Sequence, residues 1–108
     1  NHSEGLHLVY NRGTSANAKV MRFRAPLYVA AVDAETLRLR RDTERVVFPL
    51  KGDPVNDPKR VVLTDNFHTT AISPDESWVT VGENTLAARI KGDLMIARVK
   101  WTRPNGQL

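Results

Sequence analysis

An all-β domain with antiparallel strands is what this sequence predicts, and three observations carry the prediction. Short apolar runs rich in Val, Ile, Thr and aromatic residues recur along the whole chain. Turn-forming pairs, Pro-Asp, Gly-Asp and Asn-Gly, fall between them. Where periodicity is clean it is two, the repeat of a half-buried strand. The chain has 108 residues, enough for one domain with a modest core.

The elements follow in order. Leu6–Tyr10 is short, apolar and β-prone. Leu27–Val32 follows Pro26, which suits a strand start. Between Ala34 and Arg41 the apolar positions Leu37 and Leu39 are two apart, so a strand is preferred to a rival helix. Arg45–Phe48 is a strand stopped by Pro49. Arg60–Leu63 is β-branched and bounded by polar residues. Thr69–Ile72 leads into the turn Ser73-Pro74-Asp75-Glu76, and Trp78–Val81 runs on to Gly82. Leu94–Trp101 alternates: Met95, Ala97, Val99 and Trp101 share one face, Arg98 and Lys100 the other. Leu27–Val32 also echoes Leu94–Val99 at an offset of 67 residues, read here as an internal repeat of "strand, polar loop, strand".

Composition excludes several chemistries. There is no cysteine, so disulfides, thiolate metal sites, iron–sulfur clusters and a thiol nucleophile are ruled out together. His2, His7 and His68 lack metal-site spacing, and no Gly-rich phosphate loop is present, so neither a metal nor a cofactor is expected. No apolar run approaches the roughly 20 residues of a membrane-spanning helix, and no membrane partner is expected. Sixteen Lys and Arg against twelve Asp and Glu leave a formal charge of +4. The one basic cluster, Arg38, Arg40, Arg41 and Arg45, is interleaved with Asp42 and Glu44, and aromatic residues are only 6%. Both features argue against a nucleic-acid surface.

The run Arg24–Asp33, Leu37, Thr43–Val47 and Pro49, then Asp65-Asn66-Phe67, Glu76–Val79 and the closing Leu94–Trp101 segment, resembles the last part of sialidase-like (BNR-type) β-propellers. Glu76 stands where the Asp-box of that family has a turn glycine. The resemblance implies roughly two propeller-like blades, the alternative being a small β-sandwich or barrel. Residues 1–108 would then form a single β domain, either a fragment of a larger propeller or one protomer in it. Two blades cannot close a ring, so self-association through blade edges is expected. In this arrangement residues 11–23, 51–66 and 82–92 lie on one rim. The rim would gather Arg12, Arg22, Arg24, Asn66 and His68 as contacts to a glycan or other anionic small ligand, through planar guanidinium forks above all. Asp65 and Glu83 would be its acid/base carboxylates. Tyr10, Trp78 and Trp101 are expected in packing roles. The function implied is a carbohydrate-binding or glycoside-hydrolase portion of a sialidase-like propeller. The alternatives are a non-enzymatic oligomeric β scaffold or interaction module, and a small basic nucleic-acid-binding β domain.

Overall fold

The computed structural model describes residues 5–84 and 91–106. It is all-β and antiparallel. Strands β1 (Leu6–Tyr10), β2 (Leu27–Val32) and β3 (Leu39–Phe48) form one sheet in that order. Strands β4 (Leu63–Ser73), β5 (Glu76–Asn84) and β6 (Lys91–Lys100) form a second, again in chain order. Neither sheet closes on itself, so β1, β3, β4 and β6 are edge strands. Apart from single 3-10 turns at Met21–Phe23 and Pro58–Arg60, the described residues contain no helix.

The two sheets bury a common apolar layer. Leu27 and Phe48 from the first meet Val79 and Val81 from the second, with Val9, Val47, Phe67, Met95, Ala97 and Val99 around them. Met95, Ala97 and Val99 of the row that the period of two predicts on β6 lie in this layer, while Trp101 of that row does not. The molecule's shortest dimension, 18 Å, suits two sheets stacked about 10 Å apart with their side chains. Alternation along β5 puts Trp78 on the face opposite Val79 and Val81, away from the shared layer. There it is half-buried, and its indole N–H donates to Glu76. Trp101, just beyond β6, is half-buried too. It donates to Ser77 Oγ at 2.9 Å and packs its ring 4.8 Å from that of His7.

Two local expectations are corrected. Residues 60–62 are not a strand: Val62 N–H bonds Lys51 O across a loop, and Val61 is a fully buried plug rather than a ladder residue. The segments that echo one another take different places, β2 at the centre of its sheet and β6 at the edge of the other.

Bulges interrupt most of the edges. Along β3, Arg40 pairs with Ala31 and Arg45 with Val29, so the four residues Arg41–Glu44 stand opposite the single Ala30. The Thr43 hydroxyl fills the gap by accepting from Ala31 N–H at 2.8 Å and donating to Arg40 O at 2.6 Å. Strand β4 shifts register between Asp65 and His68 and again between Ala71 and Ser73.

Candidate functional site

Two loops meet at one end of the molecule. Asn17, fully buried, is the organiser of the first. Its amide donates to Arg12 O and Ala25 O, both at 2.8 Å, and its oxygen accepts from Thr14 N–H at 2.6 Å. This pins residues 12–25 into a closed loop whose Val20 and Ala25 pack on Val61 and Leu63, with Met21 and Leu50 alongside. Strand β4 is tied in at its start. Thr64 donates from both N–H and hydroxyl to Arg24 O, at 2.8 and 2.6 Å. Asn11 donates to Pro26 O at 2.9 Å. Residues 11–23 and 51–66, expected on one rim, are therefore neighbours. Glu83, near the end of β5, joins them by an ion pair of 2.7 Å to Lys51. Residues 85–90 of the third segment lie outside the described residues.

Beside this end is a second cluster, built across the first sheet. The register Tyr10–Tyr28–Val46 lines up one face of β1, β2 and β3. Glu44, two residues before Val46, reaches the Tyr10 and Arg12 side chains at the end of β1. Arg12 grips it with two bonds, Nε to Oε2 at 3.0 Å and Nη2 to Oε1 at 2.7 Å. The Tyr10 hydroxyl donates to the same carboxylate, and Arg41 Nε lies 3.5 Å from it. The Arg12 guanidinium sits 4.7 Å from the Tyr28 ring centre, and the Tyr10 and Tyr28 rings stack at 5.8 Å.

The electrostatics follow from the geometry. Bonds from Arg12, then from Tyr10, hold the Glu44 carboxyl down at about 2 against the cost of burying it. Burial, then the Glu44 carboxylate, pushes the Tyr10 phenol up to about 12. Tyr10 is thus a protonated donor at neutral pH and no nucleophile. Arg12 is raised above its ordinary value, first by its bonds to Glu44. An external anion would have to displace a two-pronged carboxylate to reach it.

The remaining candidates are dispersed. Arg22 is exposed in the 3-10 turn at a left-handed φ of 50°. Arg24 follows it, half-buried, with its carbonyl spent on Thr64. Asn66 is exposed on β4, also at φ 50°. The register sets Asp65 against Gly82 and Glu83 against Thr64; the side chain of Asp65 lies outside the described ones. His68 lines a cleft of about 390 Å³ between the β1 and β4 edges, with His7, Leu8, Val9, Phe67 and Thr69. None of the other candidates borders that cleft. No group of three or more His, Asp or Glu among the described residues could hold a metal ion, and no described helix is long and apolar enough to cross a membrane.

Sequence reasoning missed Glu44 and Asn17. Glu44 reads as one more acid in a basic, solvated strand. Its role comes from two successive strand pairings that bring it to Tyr10, 34 residues away, for which no local signal exists. Asn17 lies in a polar stretch where an asparagine is unremarked. Comparison with family models, curated proteins and solved structures finds no match to this chain.

Proposed function

We propose that this chain is a non-enzymatic β interaction module that assembles through its open sheet edges. One contrast carries the reading. Arg12 and Glu83, the foremost anion contact and one of the acid/base carboxylates expected at the rim, are each closed in a 2.7 Å ion pair within the chain. The four sheet edges, by comparison, have no ladder partner among the described residues. Polar groups already satisfied internally contribute little to a new ligand, whereas an unpaired strand edge is a template for another strand.

A glycan-handling reading draws on a narrower observation: the two loops converge, and Arg22 is exposed beside them. One set of samples tests both. Light scattering over a concentration series should give a mass above that of one chain, and a glycan array should show no capture. A strictly monomeric chain at high concentration overturns the module. Capture of acidic glycans that is lost in Arg22→Ala installs the glycan reading in its place.

A further inference from the structure

The four open edges are not equivalent. Strand β1 pairs over only five residues. Strand β3 is broken by the Arg41–Glu44 bulge, and β4 by two register shifts. Bulges and short length are the devices by which sheets blunt their edges. Strand β6 carries one shift, confined to its start between Lys91 and Leu94. From Leu94 to Lys100 it pairs with β5 without a shift, Leu94 against Gly82 through to Lys100 against Glu76. Among the described residues, no backbone hydrogen bond from 94–100 goes anywhere but to β5. Its outer face also carries Leu94, 74% exposed, and Ile96, 46% exposed.

The geometry points to β6 as a self-pairing edge: a second copy of this chain adds antiparallel to it about a two-fold axis at Met95, making one six-stranded sheet from two. This deepens the module reading and rests on it. The choice of partner comes from self-complementarity. A two-fold axis perpendicular to the sheet puts residues of the same face opposite one another, so the axis must pass through a residue position. At Met95 it sets Leu94 opposite Ile96 of the second copy, and Ile96 opposite Leu94. The two exposed apolar side chains on each copy then cover one another. Counted along the chain past the shift at the start of β6, Arg98 falls toward Gly92 and Val99 toward Lys91, so no like charges are brought together. At Ile96 the axis would set Leu94 against Arg98. At Ala97 it would set Leu94 against Lys100 and Ile96 against Arg98. Only the Met95 axis joins the apolar pair. It also continues the inward row of Met95, Ala97 and Val99 on one side of the joined sheet. The Arg98 guanidinium adds no unpaired charge, because Glu76 holds it with bonds of 3.0 and 2.7 Å.

The absence of cysteine makes the register directly testable. Residues opposite one another in an antiparallel pair have Cα atoms about 4.5–5.5 Å apart, within the span of a disulfide. Under mild oxidation Met95→Cys should link into covalent dimers at least tenfold faster than Ile96→Cys or Leu8→Cys. Separately, Ile96→Lys, on an exposed face, should keep the wild-type circular dichroism and weaken self-association at least tenfold. Linking of Met95→Cys no faster than the two controls, in a chain that still associates, overturns the β6 pairing and leaves the module standing. Unchanged mass for a folded Ile96→Lys overturns the pairing equally. A wild-type chain that is monomeric throughout removes the pairing and the module together.

Discussion

Glu44 is a single carboxylate that fastens β3 to the end of β1. Tyr10 comes to it from the end of β1 and Arg12 from just beyond, and the Arg12 guanidinium lies over the Tyr28 ring of β2. Only 14% of its side chain is exposed, so these bonds are only weakly screened by solvent. A carboxyl held at about 2 in the folded chain binds its proton less readily there than in the unfolded chain. It therefore stabilises the fold above the ordinary carboxylate range and loses that contribution as pH falls from about 5 toward 2. Tyr10 works in the opposite sense. Its raised value means a contribution present below about 10 and lost as pH climbs toward 12. Replacing Glu44→Gln should cost about 2 kcal/mol in denaturant titrations at pH 7, with the gap to wild type closing by pH 2. In the same variant the Tyr10 phenol should titrate lower, but only part of the way to its ordinary value, because burial is the larger cause of its rise. A gap independent of pH would mean that Glu44 acts through packing and not through charge.

The turns and bulges are the elements the sequence conceals. Strands β1 and β2 are readable to the residue because Leu6–Tyr10 and Leu27–Val32 are compact apolar runs with polar borders. The inward row of β6 is readable because one face of it is buried. Val61 and Val62 misled for a physical reason: β-branched residues suit a strand and equally suit a buried plug in a loop, and only the bond from Val62 to Lys51 separates the two. The β3 bulge is silent in sequence because its stabiliser, the Thr43 hydroxyl, bonds a strand twelve residues away. The same holds for the site, where Arg12 is plain in sequence and the carboxylate that occupies it is not. The β2–β3 connection shows how local chemistry and strain compete. Asp33 accepts from the N–H groups of Glu35 and Thr36 at 2.9 and 3.1 Å, and Leu37 N–H closes onto Asp33 O at 2.7 Å. That closure forces Leu37 to a φ of 59° with its side chain 73% exposed. A left-handed conformation costs a residue with a Cβ roughly 1 kcal/mol. Leu37→Gly should thus raise stability by up to about 1 kcal/mol, a few degrees in melting temperature. A lower melting temperature would show that Leu37 packs on something the turn needs.

On the scale of the whole molecule, the question is whether two three-stranded sheets behave as one folding unit. Each sheet alone is thin, and the backbone ladders run within a sheet, not between the two. What joins the sheets is the shared layer, in which fully buried Leu27 of the first lies with Val79 and Val81 of the second, and the Thr64-to-Arg24 bonds at the loop end. A three-stranded sheet with its inner face uncovered would expose these residues to water, so neither sheet holds without the other. The chain supplies its own reporters for the test. Both tyrosines, Tyr10 and Tyr28, stand in the first sheet, and both tryptophans, Trp78 and Trp101, stand in or beside the second. Tryptophan fluorescence and the near-ultraviolet tyrosine signal should therefore change at the same denaturant concentration, as two-state unfolding requires. Self-pairing along β6 would add to the second sheet first. With the layer shared, raising protein concentration should move both transitions upward together. Separation of the two curves, with only the tryptophan transition depending on concentration, would show instead that the sheets melt independently and that the common layer is too weak to couple them.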